Sequence, residues 1–289
     1  MKLNNNYTLK IICNDKPGII ARVSNFLYKN RFNILESSQF KDDKNNKFFM
    51  RVNFSPINLS SKVNDLEDLI SKFKEISKIF KMSFNIYDMS KKQNILIMVS
   101  KFGHCLNNML YQWKLGSLKA NIPTIASNHE DMNEIAKQYG INYVVLPINK
   151  KNKPEQEKRL LKIIKENKID LVVLARYMQV LSPRFCKIME GKIINIHHSF
   201  LPSFKGARPY NQAYLKGVKI IGATAHYVTN KLDEGQIIEQ DVARVDHTKT
   251  LDDFISIGRD IENIVLYRAI NWHIQHRVLI NKNRTIVFN

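Results

Sequence analysis

Residues 171–174 read Leu-Val-Val-Leu, four apolar residues in a row with no polar face. A strand on a half-solvated sheet alternates apolar and polar residues, whereas a strand without a polar face is covered on both sides. That is the pattern of a parallel sheet between two layers of helices. The neighbouring sequence agrees. Strands are predicted at Asn94–Val99, Ile122–Ala126, Asn142–Leu146, Asp170–Leu174 and Lys192–Ile196. Helical spacing occupies the gaps, around Cys105–Lys114 and over Asp131–Tyr139 and Glu155–Asn167. This alternation predicts an open, mostly parallel, doubly wound α/β domain, whose ligands bind beyond the carboxyl ends of the strands. Two extended runs follow, Lys219–Val228 and Gln236–Val245, then a helix from about Leu251 to His273 and two short strands in Arg277–Phe288.

Upstream, Tyr7–Cys13 alternates and is rich in β-formers, so it reads as a strand. Asn14-Asp15-Lys16-Pro17-Gly18 is a turn into a helix marked by Ile19, Ile20, Val23, Phe26 and Leu27. Phe32–Phe40 and Lys47–Phe54 are strands joined by a polar tip, Asp42–Asn46. Ser60–Phe80 places Val63, Leu66, Leu69, Ile70, Phe73, Ile76 and Phe80 on one helical face. Met82–Tyr87 closes a βαββαβ order, the ferredoxin-like pattern. The predicted organisation is a small domain over 1–89, a polar linker at 90–93 and a second domain over 94–289.

Composition narrows the class. With 44% hydrophobic residues the chain fills real cores, and no run of about 18 apolar residues suggests a membrane span. The first residues turn at once into a strand and carry no cleavage site, so no signal peptide is expected. The cysteines Cys13, Cys105 and Cys186 lie far apart, without a CxxC pair. They indicate neither a disulfide framework nor a metal site, and a reducing cytoplasm is the expected location. The net charge of +19 is spread as +6 over 1–89 and +13 over the rest, mostly as single lysines. A nucleic-acid binder concentrates its charge on one stripe, so no nucleic-acid partner is expected.

The densest polar cluster is Asn195-Ile196-His197-His198-Ser199 at a strand end. Period two puts Asn195 and His197 on one face. An amide that donates to an oxyanion, beside an imidazole that transfers protons, suits acyl chemistry. The same residues would also brace a loop. Asp233, in the turn Thr229–Gly235, can orient His197 or position a water, or be a plain turn residue. His226, within an apolar run, reads as a hydrogen-bonded core histidine, and His104 as a residue bordering the site. Cys105 and Cys186 read as buried thiols.

Residues 195–217 (NIHHSFLPSFKGARPYNQAYLKG) and 220–238 (IIGATAHYVTNKLDEGQII) closely resemble the folate-dependent formyltransferases, and within them the formyltetrahydrofolate deformylases. The resemblance runs from about Asn94 to the C-terminus. It implies Asn195, His197 and Asp233 as the catalytic set. It further implies a pterin-binding loop containing Tyr177, Met178, Gln179, Val180 and Leu181, with His198 and Arg208 also near the substrate. Several relatives carry Arg where this chain has Gln179. The implied reaction is hydrolysis of 10-formyltetrahydrofolate to tetrahydrofolate and formate, feeding one-carbon and purine metabolism. No metal and no tightly bound cofactor are implied, the folate being the substrate. The first ninety residues resemble an ACT domain, through Asp15, Pro17, Gly18 and Ile19 of its D-x-P-G-[IL] turn. That resemblance implies an amino-acid effector, glycine or methionine, and a homo-oligomer, dimer or tetramer.

Two relatives of the same catalytic core are distinguishable in sequence. A glycinamide ribonucleotide formyltransferase needs a phosphate-cradling loop after the first strand. Here that place reads Ser100-Lys101-Phe102-Gly103-His104-Cys105, with one glycine. A methionyl-tRNA formyltransferase needs a further nucleic-acid domain after the catalytic one. A non-catalytic amino-acid sensor would have no use for Asn195, His197 and Asp233 together.

Overall fold

The computed structural model describes residues 6–57, 66–202 and 209–289. The chain divides into two compact units, one of Met1–Lys92 with Gln275–Asn281 and Ile286–Asn289, the other of Gln93–Ile274 with Lys282–Thr285.

The first unit runs β1 (Tyr7–Asn14), α1 (Ile19–Lys29), β2 (Phe32–Asp42), β3 (Lys47–Pro56), α2 (Leu66–Phe80) and β4 (Ser83–Asp88). Its sheet has the order β2-β3-β1-β4 with antiparallel pairing throughout. Leu9 and Ile11 of β1, Val23 and Leu27 of α1, Val52 and Phe54 of β3 and Phe73 of α2 are fully buried between sheet and helices. This is the expected ferredoxin-like arrangement. Gly18 caps α1 in the left-handed region, φ 87°, which only glycine adopts without strain. Pro17 precedes the cap, within the expected turn. Val63 lies outside the described residues.

The second unit contains β5 (Asn94–Val99), α3 (His104–Lys114), β6 (Asn121–Ser127), α4 (Asn133–Gln138), β7 (Asn142–Val145), α5 (Lys153–Glu166) and β8 (Leu171–Leu174). It continues through α6 (Pro183–Ile188), β9 (Ile193–His197), α7 (Pro209–Leu215), β10 (Ile220–Tyr227), β11 (Ile237–Arg244) and α8 (Leu251–Ile274). The seven strands lie in the order β11-β10-β9-β8-β5-β6-β7. The five from β5 to β9 are parallel; β10 and β11 add antiparallel pairs at one edge. Leu171, Val172 and Val173 have no exposed surface, as strands covered on both faces require. Short helices α6 and α7 were not among the expected elements. The Ser182-Pro183 start of α6 carries a helix signature all the same: the Ser182 hydroxyl accepts from the Phe185 N–H, with Pro183 in the first turn. No helix among the described residues is long and apolar enough to cross a membrane.

The tail corrects the expected partition, which gave all of 94–289 to one domain. The strands β12 (Val278–Asn281) and β13 (Arg284–Val287) pair with each other. Leu279 and Phe288 bury themselves against Phe49 of β3, with Ile12 and Ile286 around them. Lys10 donates to the Val278 carbonyl at 2.7 Å and Asn281 to Asp42 at 2.7 Å. A sequence with two apolar faces in its last strands does not say which sheet receives them.

Candidate active site

Strands β9 and β10 bring the three expected residues together. In their antiparallel register Asn195 stands opposite His226 and His197 opposite Thr224, and directly opposed residues share a face. The His226 Nδ1–H donates to the Tyr227 carbonyl at 2.8 Å. In the neutral ring Nε2 is then an acceptor, so the contact of 3.2 Å to Asn195 Nδ2 has the amide donating. One N–H of Asn195 is held by His226, and the second remains to donate elsewhere. The Thr224 hydroxyl, donating to the Ser199 carbonyl and accepting from the Leu201 N–H, fixes the chain that leaves β9.

Asp233 arrives from the turn after β10. It has φ 54°, a strained conformation for a residue with a side chain. Two residues on, Gly235 lies so close to β10 that a Cβ there would meet the Tyr227 carbonyl oxygen at 1.6 Å. The glycine is what lets the turn press down onto the strand. So placed, Asp233 Oδ2 is 3.3 Å from His197 Nδ1 and Oδ1 is 3.7 Å from His226 Nε2. The other nitrogen of His197, Nε2, is buried without a hydrogen-bond partner among the described residues.

Burial pushes the Asp233 carboxyl up, but the hydrogen bond and charge of His197 lead the influences that outweigh it and hold the group below the usual carboxylate range. His226 is lowered by burial, so it stays the neutral acceptor that the Asn195 contact requires. Burial, then the Arg176 charge, takes His198 down to about 3, which makes it a neutral ring at ordinary pH.

These groups line a cavity of about 270 Å³, whose wall includes Tyr177, Met178, Gln179, Val180, Leu181, Asn195, His197, His198, His226 and Asp233. The wall thus carries Asn195, His197, Asp233, His198 and the Tyr177–Leu181 loop; His104 is not part of it, and Arg208 lies outside the described residues. Met178 and Val180 expose more than half their surface on the wall, an apolar face for a flat ring. The Met178 N–H donates to the Ser100 hydroxyl, which in turn donates to Asn128, and this ties the loop to the end of β5.

Sequence reasoning missed a second buried group. Glu262 of α8 has no exposed surface. It accepts from the Tyr210 hydroxyl at 2.6 Å, meets His104 Nε2 at 2.8 Å and lies 3.5 Å from Arg176 Nε. Burial raises its carboxyl, but His104 and Arg176 more than compensate and hold it below the ordinary glutamate value. The available signal was a glutamate between Ile261 and Val265 on the buried stripe of a long helix. His104, Cys105 and Glu262 present ligand-type atoms within 4.8 Å of one another. Arg176 already supplies the cation there, and burial raises the Cys105 thiol well above its usual range, which disfavours the thiolate a metal needs.

Comparison with known proteins follows the same division. Residues 93–270 match the formyl transferase family model and residues 7–71 the ACT domain model. The formyltetrahydrofolate deformylase of Synechocystis sp. is 45% identical over 281 residues, 97% of this chain and 98% of that protein. A crystal structure of a formyltetrahydrofolate deformylase from Pseudomonas syringae pv. tomato superposes with a TM-score of 0.95 at 40% identity, covering 100% of this chain and 96% of that one. Glycinamide ribonucleotide transformylase 1 of Symbiobacterium toebii superposes with a TM-score of 0.65 at 26% identity, over 71% of this chain and 98% of its own. The transformylase thus shares the catalytic fold, while the deformylases share the whole length, and it is to the formyltetrahydrofolate deformylase family that this chain belongs.

Proposed function

We propose that this chain hydrolyses 10-formyltetrahydrofolate to tetrahydrofolate and formate, with Asn195, His197 and Asp233 as the catalytic set. The observation that carries the reading is the convergence of these three side chains on one cavity, within a chain that matches deformylases from end to end. The pterin ring lies against Tyr177–Leu181, and the formyl group reaches Asn195 and His197. A water adds its oxygen to the formyl carbon while Asp233 positions it and accepts its proton. The free N–H of Asn195 and His197 Nε2 donate to the oxyanion that develops. The carbon–N10 bond then breaks, N10 takes a proton through His197, and formate leaves. No step passes through a metal, so turnover is expected to be unchanged by a chelator. Formate release from 10-formyltetrahydrofolate by the purified chain is the direct test; absence of release overturns the reading.

The first unit serves as the regulatory module. Gly18 caps α1 with no side chain to bond its first turn, so among the described residues the cap itself leaves first-turn N–H groups to an effector carboxylate at Asp15–Ile19. Glycine or methionine, both tied to the one-carbon pool, is the effector, and the chain works as a dimer or tetramer in the cytoplasm. Calorimetry with each amino acid tests the module, and sedimentation velocity the assembly. No heat with either one reduces the module to an assembly device.

A further inference from the structure

One flank of the catalytic residues opens on the substrate cavity; the other is filled by the Glu262 cluster. Four separate segments build that cluster: His104 opens α3 just after β5, Arg176 follows β8, Tyr210 lies on α7 and Glu262 on α8. Strands β5 and β8 are neighbours from which the chain departs in opposite directions, β5 toward β6 and β8 toward β9. Their carboxyl ends mark the switch point of the sheet, the crevice where an open α/β fold takes a ligand. Here side chains occupy the crevice. A fully buried carboxylate is costly unless every partner is made, and an apolar residue of similar volume would stabilise the fold as well or better. Its presence calls for a use beyond stability.

The cluster is tightly seated and reaches the catalytic residues through the His198 ring. A Cβ on Gly258 of α8 would stand 2.2 Å from Tyr210 Cζ, so the helix carries a notch for the phenol. The His198 ring lies 6.0 Å from that of Tyr210 and 5.3 Å from that of His197. Arg176 and His198 are themselves part of the catalytic cavity wall. On this flank, His198, Tyr210, Ala213 and Gly222 line a further cavity of about 30 Å³, which is room for a water or two and for no amine substrate.

We propose that the Glu262 cluster is an acceptor filter, which keeps amines from the formyl carbon and leaves water as the nucleophile. This inference rests on the deformylase reading above. In hydrolysis the water oxygen bonds to the formyl carbon, the carbon–N10 bond breaks, N10 gains a proton and formate departs. In the transfer that the filter prevents, the same bond breaks, an amine nitrogen bonds to the carbon instead, and the proton lost by the amine goes to N10. His104, Tyr210, Arg176 and Glu262 touch neither reacting bond; they act as specificity-determining residues.

The test uses the full chain with 10-formyltetrahydrofolate and glycinamide as the probe amine, reading formate and N-formylglycinamide from the same reaction. The unaltered protein should give formate and no product that rises with glycinamide. His104→Ala opens the crevice from the first turn of α3, and the ratio of formylated amine to formate should rise roughly tenfold or more. Tyr210→Ala, which empties the notch from the other side, should move the ratio in the same direction and serves if the first variant does not fold. A ratio within one preparation does not depend on how much of it is folded, so a merely structural defect leaves it unmoved. An unchanged ratio in a variant that still releases formate overturns the filter, as does ready formylation of glycinamide by the unaltered protein. Failure of the unaltered protein to release formate without amine is read separately; it overturns the deformylase reading, and the filter with it.

Discussion

At the scale of single residues, burial of His226 sets the orientation of the Asn195 amide. Its Nδ1–H is committed to the Tyr227 carbonyl, so its other nitrogen accepts from one Asn195 N–H, and in the proposed mechanism the second N–H is the one that meets the oxyanion. Removal of an oxyanion donor typically loses about 3 kcal/mol of transition-state stabilisation. Asn195→Ala should therefore lower turnover by roughly a hundredfold or more in a formate-release assay. His226→Ala should lower kcat more than it raises KM, because it disturbs the donor and not the folate wall. In the proposed mechanism the depressed Asp233 carboxyl sets the acid side of the pH profile. Turnover limited by that group stays on its plateau as pH falls past the ordinary aspartate value of about 3.9, and Asp233→Asn should remove turnover at every pH. A folded Asp233→Asn protein with near-normal turnover would disprove its role.

At the scale of elements, the approach of the Asp233 turn to β10 and the load on α8 both make predictions. A side chain at Gly235 would collide with backbone, which cannot move aside without displacing β10. Gly235→Ala should abolish activity by lifting Asp233 from His197. Gly116, with φ 76° and no described atom beyond its chain neighbours within 4 Å of an added Cβ, is the control, and Gly116→Ala should lose only about 1–2 kcal/mol of stability. Along α8, the folded pKa of Glu262 lies below its unfolded value. Such a group contributes stability that is complete above about pH 4.3 and lost as pH falls through the folded value. Thermal melts between pH 7 and 3 should show a smaller acid loss for Glu262→Gln than for the unaltered chain.

At the scale of the molecule, the tail decides what a truncation means. Removing residues 1–88 takes away Ile12 and Phe49 and leaves Leu279 and Phe288 without the core that covers them. A fragment of 89–289 should therefore associate through that apolar surface, whereas a fragment of 93–274 should scatter less light at equal concentration. Equal scattering from both would show that the tail finds other cover. The cleaner probe of amino-acid regulation is consequently a substitution at the Gly18 turn, not deletion of the first unit.

Local and periodic features were legible in the sequence. Apolar runs such as Leu171–Leu174 announced a sheet covered on both faces, the βαββαβ order announced the small unit, and period two placed Asn195 and His197 on one face. The resemblance to the formyltransferases added a role for Asp233 and the loop of Tyr177–Leu181. Each of these depends on a few consecutive residues, or on a spacing that a resemblance supplies. The tertiary structure alone decided the rest: that His226 faces Asn195, that Glu262 gathers His104, Tyr210 and Arg176, and that the last strands cover Phe49. These pairings join residues 31 to 239 positions apart. Whether a buried His, Glu or Phe finds a partner depends on strand register and helix packing, which no local pattern encodes.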